Sequence, residues 1–102
     1  MALAQAQLGT SITTVYTSTG DSATVCMFFC NTDSSAVTID VHIVANGDTA
    51  DLTNKIISNL SINAGDTYMM NIEKIVISNG DSVQALASTG SVVSCTVSYV
   101  NI

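Results

Sequence analysis

Apolar and polar residues alternate with a period of two along most of this chain, the pattern of strands with one face in a core and the other in water. The clearest run, Ala36 to Ala45, sets Val37, Ile39, Val41 and Ile43 inward and Thr38, Asp40 and His42 outward. The last run, Ser91 to Ile102, alternates Val93, Cys95, Val97 and Tyr99. Thr10 to Thr17 opposes Ile12 and Tyr16 to Val15, and Asp21 to Cys30 becomes apolar on both sides, as a central strand would. Lys55 to Ile62, carrying Ile57 and Leu60, is less regular; Asp66 to Ile72 and Lys74 to Ile77 follow it. Helical periodicity never extends beyond one or two turns.

Punctuation between the runs is repetitive. Gly-Asp followed by Ser or Thr occurs at Gly20-Asp21-Ser22, Gly47-Asp48-Thr49, Gly65-Asp66-Thr67 and Gly80-Asp81-Ser82. Glycine reaches backbone conformations that strain other residues, and Asp bonds the backbone beside a turn, so the tripeptide reads as a turn ending and a strand beginning. Asn31 to Ser35 is a further turn cluster, and Asn46 to Asn54 a polar loop. Asn79-Gly80, between Ile75-Val76-Ile77 and Ser82-Val83, predicts a type I′ hairpin with positive φ at both central residues.

These elements predict an all-β chain: a single β-sandwich of seven to eight antiparallel strands, with Ig-like or jelly-roll topology. At 102 residues and 10.5 kDa the chain makes one domain. Residues 10–102 are expected to form the sandwich. Residues 1–9, weakly patterned, are expected to be an N-terminal arm that frays alone or orders on a partner.

Charge changes the picture. Only 10% of residues are charged, with two lysines, no arginine and eight acids, for a net charge of −6 and a pI of about 4.1. Such a surface offers nothing to a phosphate backbone and is repelled by an anionic leaflet, which argues against nucleic-acid and membrane-surface partners. Polarity comes instead from 13 Ser, 13 Thr and 8 Asn. So little charge leaves strand edges poorly protected, and two readings follow: a surface covered by other subunits, or a merely uncharged monomer. Residues Met1 to Leu8 have neither a basic stretch nor a continuous apolar one, so no signal peptide is expected and the product should stay in the cytoplasm where it is made.

Candidate chemistry is sparse. Cys26 and Cys30 would share one face of a strand about 13 Å apart, too far for a disulfide. With Cys95 they read as small, reduced, buried apolar residues. His42, the sole histidine, lies two residues from Asp40 on an outer face, but no nucleophile elbow accompanies them, so a surface histidine is expected. Asp48 and Asp51 match no calcium-loop spacing, and Asn59-Leu60-Ser61 is a sequon that an Asn- and Ser-rich chain contains by chance. The expectation is a protein that is not an enzyme, with no catalytic, cofactor-binding or metal-binding residues and no cofactor.

The stretch "LGTSITTVYTSTGDSATVCMFFCNTDSSAVTIDVHIV" resembles small structural proteins of tailed bacteriophages, notably marine and cyanobacterial ones. Shared features are a Leu-Gly before a Tyr-Thr strand, a long apolar strand ending in Cys30-Asn31, and a Val-rich strand after a polar turn. "NLSINAGDTYMM" and "EKIVISNGDSVQALASTGSVVSCTVSYVNI" are similar to that group's later strands; Cys26 and the lack of a proline near Gly20 depart from it. The resemblance implies a non-enzymatic virion component of head, neck or tail, whose partners are other virion proteins and copies of itself. The alternative is a small glycan-binding or host-adhesion module. That would need exposed aromatic rings, from a set limited to Tyr16, Phe28, Phe29, Tyr68 and Tyr99. An exposed Tyr68 beside the Asp48–Asp51 loop would favour it.

Overall fold

A computed structural model describes residues 2–70 and 74–102. Among these the chain forms nine strands: β1 (Ala2–Leu8), β2 (Thr13–Thr17), β3 (Ser22–Asn31), β4 (Val37–Val44), β5 (Lys55–Ile62), β6 (Thr67–Met70), β7 (Ile75–Ile77), β8 (Ser82–Ala87) and β9 (Val93–Asn101). The first sheet has the order β1-β9-β3-β6, with β7 also pairing β3; the second has the order β2-β8-β4-β5. All pairings are antiparallel. They are also nested: β1 pairs β9, β2 pairs β8, β3 pairs β6 and β7, and β4 pairs β5. Rolling such a folded ribbon so that β9 also meets β3 and β8 meets β4 gives a two-sheet jelly roll, which selects between the two expected topologies.

The core lies between the sheets. Leu8, Met27, Phe29, Val93, Cys95 and Val97 from the first sheet meet Val37, Ile39, Val41, Val83 and Ala85 from the second. Burying each of the larger side chains contributes roughly 1.5–3 kcal/mol. In β4, Val37, Ile39 and Val41 are buried and Ile43 packs against the same core, as its alternation requires. The irregularity expected in Lys55 to Ile62 is real. The β4–β5 register shifts twice, and Asn59 takes φ 51° with its N–H on Asp40 Oδ1.

Three expectations need correction. Residues 2–8 of the predicted arm are β1, paired along its whole length with β9 from Ala2↔Tyr99 to Leu8↔Val93. Leu8 is fully buried, Ala4 and Ala6 pack on the core, and the Ser91 N–H donates to the Leu8 carbonyl, so the segment is held by the sandwich itself. Asn79-Gly80 is not a hairpin: only Gly80 has positive φ (87°), and β7 and β8 belong to different sheets. The turn crosses between the sheets, and a Cβ on Gly80 would lie 2.5 Å from the Asn46 side chain. In β2 a register shift between Thr14 and Tyr16 buries Val15 and Tyr16 together, while Ile12 is exposed. The expected continuation of β6 through Asn71 and Ile72 falls outside the described residues.

Three of the four Gly-Asp turns share one geometry. The N–H of Asp48, Asp66 and Asp81 donates to the carbonyl of Ala45, Asn63 and Ser78, at 2.9, 3.0 and 3.1 Å. With glycine third in each turn, the left-handed conformation costs no side-chain strain.

Buried polar groups tie these pieces together. Asn31 is fully buried; its Nδ2 reaches the carbonyls of Ser35 (2.9 Å), Ile62 (3.0 Å) and Asn63 (3.3 Å), while Oδ1 accepts the Asp33 N–H. A relay of hydroxyls runs from Tyr16 to Ser22 (2.9 Å), Ser22 to Ser18 (2.7 Å) and Ser18 to the Gly20 carbonyl (2.6 Å). The Tyr16 ring stacks on Tyr99 with centroids 4.0 Å apart.

Candidate functional site

The five strands of the first sheet contain no Asp, Glu, Lys, Arg or His. Alternation fixes which of their side chains face away from the core. In β1, Ala4, Ala6 and Leu8 point inward, so Leu3, Gln5 and Gln7 point outward. Across the sheet, Gln5 aligns with Thr96, Phe28 and Met69, and Gln7 with Ser94, Cys30 and Thr67. Leu3 aligns with Ser98 and Cys26, and Val76 with Ala23 and Val100. The outer face is therefore a field of small, amide, hydroxyl and apolar side chains. Leu3, Met69 and Val76 are 63%, 49% and 67% exposed on it. Among the described residues, the other exposed large apolar side chains are Ile12, Leu52 on the 45–54 loop, Ile56 on β5 and Ile102.

Among the described residues the charges lie outside the strands of this sheet: Asp21, Asp33, Asp66 and Asp81 in turns, Asp48 and Asp51 in the loop, Asp40 and Lys55 on the second sheet, and Lys74 exposed just before β7. Asp40 Oδ2 is 3.5 Å from Lys55 Nζ.

His42 stands on the outer side of β4, as its alternation predicts, but it is not a surface residue. The 45–54 loop folds over it, leaving it 5% exposed. Asn54 Oδ1 lies 2.8 Å from His42 Nδ1 and 3.0 Å from the Asp51 N–H, so both donate to it and the ring carries its proton on Nδ1. Asn54 Nδ2 in turn bonds the Thr49 carbonyl, and the Asn54 carbonyl accepts the Ile43 N–H. His42 is thus the post on which the loop is pinned. Asp40, committed to Lys55 and the Asn59 N–H, does not pair with it.

Asp51 accepts the Thr53 hydroxyl (2.6 Å) and the Thr53 N–H (2.9 Å), and the hydroxyl bond foremost holds its carboxyl below the usual value. Both acids of this loop are exposed and engaged in local turn bonds or solvent. Among the described residues, no three His, Cys, Asp or Glu side chains converge on a point that could hold a metal. Asn59 is exposed at the bulge of β5.

The three thiols are free and divide by face. Cys95 is fully buried, and burial pushes its thiol up from 9.0 to about 12. Cys26 and Cys30 are half-buried on the outer face of the first sheet, not in the core as expected. The reason is a register shift between Thr24 and Cys26, which turns Thr24 and Met27 inward and leaves the cysteines outside.

The aromatics are mostly internal. Tyr16 and Phe29 are buried, Tyr99 stacks on Tyr16, and Phe28 is half-buried on the outer face. Tyr68 is half-buried and, with Ser61, Ile62, Asn63, Asp66 and Thr67, lines an open recess of about 140 Å³. It lies at the end of β5 opposite the 45–54 loop, so Tyr68 and the Asp48–Asp51 loop do not meet.

No family model matches the chain, and no curated protein does. Among solved structures it is similar to one described as the structure of infectious bursal disease virus Gx strain. The likeness has a TM-score of 0.45 and 15% identity, and covers 98% of this chain and 29% of that one. The chain thus spans less than a third of that viral chain's length.

Proposed function

We propose that this chain is a non-enzymatic structural component of a tailed-bacteriophage virion, at the head, neck or tail. It is made in the host cytoplasm and acts through contacts with other virion proteins and with copies of itself. The observation that carries this reading is the outer face of the first sheet. Its five strands carry no charge, and it exposes Leu3 at the β1 edge and Met69 and Val76 at the opposite edge. An apolar field of this kind loses water favourably when covered, at about 25 cal/mol per Å², and no buried charge opposes it. The jelly roll is used by virion and lectin domains alike, so the fold supports the reading without choosing it.

Quantitative mass spectrometry of purified particles tests the reading. The chain is expected at a fixed copy number per particle, and Val76→Lys is expected to fold but be lost from particles. Presence in the infected lysate and absence from purified particles would overturn it.

A second reading, a glycan-binding or host-adhesion module, draws on the recess beside Tyr68, where an aromatic ring, Asp66 and Asn63 stand together. A glycan array answers it: binding that disappears with Tyr68→Ala supports this reading, and an empty array removes it.

A further inference from the structure

An unpaired strand edge presents free N–H and C=O groups to any other strand, and proteins guard such edges with charge, brevity, bulges or proline. Three edges of this sandwich are guarded. β5 carries Lys55, two register shifts and the left-handed Asn59. β2 is five residues long with a shift between Thr14 and Tyr16. Among the described residues, the edge beyond β3 is made of two short strands, of four and three residues. β1 has none of these devices. It is seven residues long, pairs β9 without a shift, and contains no charge, proline, glycine or positive φ.

We propose that β1 pairs antiparallel with β1 of a second copy of this chain, about a two-fold axis, joining two five-stranded sheets into one. This rests on the assembly reading above and names the partner and the seam. Antiparallel pairing is compatible with two-fold symmetry, so one surface serves both partners. Directly opposed residues share a face, which puts Ala4 and Ala6 of both copies on the core side and Leu3, Gln5 and Gln7 on the outer side. Charge selects the occupant. Each copy carries −6, so two copies approach at least cost where neither has charge, and β1 is backed by the equally uncharged β9 and β3. A basic partner would be drawn instead to the acidic turns and loop.

The seam is about 23 Å long, and a strand-to-strand contact of that length falls short of the roughly 1,000 Å² of a stable interface. The pair therefore forms reversibly in solution and is reinforced where several copies are held together. It doubles the outer face and brings the exposed Leu3 side chains to the middle of it.

Sedimentation velocity over a wide concentration range, with hydrogen exchange on the same samples, tests the seam. The mass is expected to rise from 10.5 kDa towards twice that value. Amides on alternate residues of β1 gain protection with concentration, while those on the free edges of β2 and β5 do not. Gln5→Lys brings like charges together at the seam and is expected to weaken association by about tenfold or more with unchanged melting. Val76→Lys, away from the seam, leaves the dimer intact. A monomer at every concentration overturns the inference, as does association that survives Gln5→Lys but not Val76→Lys. Particles that retain Gln5→Lys at full copy number overturn the seam alone; a dimer absent from all particles overturns the virion reading alone.

Discussion

The two sheets close on the same core and differ on their outer sides. The outer face of the second sheet is largely dressed by its own chain: the 45–54 loop covers His42, Lys55 answers Asp40, and the Asp40 carboxylate caps the bulge at Asn59. Among the described residues, no loop is pinned across the outer face of the first sheet by such bonds and its strands carry no charge; the polar bonds there include the exposed ones of Gln5 to Thr96 and Gln7 to the Ser91 carbonyl. The contrast shows which face of a small sandwich its own sequence covers and which it leaves open. A face whose polar groups find partners within the molecule has no need of a neighbour; one left apolar and uncharged gains by acquiring one.

The largest effect is expected from the internal fastening of the first sheet. Asn31→Ala removes bonds that bridge β3 to the end of β5, leaving buried carbonyls unmade. It should cost about 2–4 kcal/mol in urea unfolding. A loss below about 1 kcal/mol would mean that water replaces the amide.

All three thiols belong to this sheet, and pH separates the inner from the outer ones. Cys95 stays protonated in the fold to about 12 but would release its proton near 9.0 once unfolded. Above that lower value the unfolded chain binds fewer protons than the folded one, so stability falls as pH rises. The loss is about 1.4 kcal/mol at roughly one pH unit above it. Cys95→Val should flatten this alkaline slope. A thiol reagent should modify Cys26 and Cys30 in the folded protein and reach Cys95 only on unfolding.

On the second sheet, Lys55→Ala should cost at most about 1 kcal/mol, because the pair with Asp40 is partly exposed and the Asn59 N–H still holds the carboxylate. The difference from the parent should shrink in high salt. Least of all, Val76→Lys should change unfolding free energy by no more than about 0.5 kcal/mol while abolishing incorporation into particles. If both sheets tolerate charge equally in the particle assay, the distinction between their faces has no functional meaning.

Local signals were readable where a residue's own chemistry decides its conformation. Gly20, Gly65 and Gly80 take positive φ, and a strand begins two residues after each. β4 keeps the alternation its sequence shows. What could not be read depends on distant partners. Ala and Gln have little strand preference, so β1 looks like a tail until β9 supplies its ladder. Asn79-Gly80 marks a reversal, but nothing local tells whether the returning strand joins the same sheet or the opposite one. The outer position of His42 is written in the period of β4; its cover is not, since the loop that provides it has no period. The uncharged character of the first sheet is present in the sequence, yet appears only when strands far apart in the chain are laid side by side.

The nested pairing also sets a timetable for folding. β4 and β5, joined by one loop, can close early, and each outer pair must span a longer stretch of chain at a greater entropic cost. Gln5 and Thr96 stand 91 residues apart in sequence. Topologies dominated by such distant contacts fold in roughly milliseconds to seconds, whereas local helical ones take microseconds to milliseconds. On the ribosome β1 has to wait until β9 has emerged, and throughout synthesis it is a seven-residue segment with neither charge nor partner. Of all the strands, the earliest one made is the last to find its place.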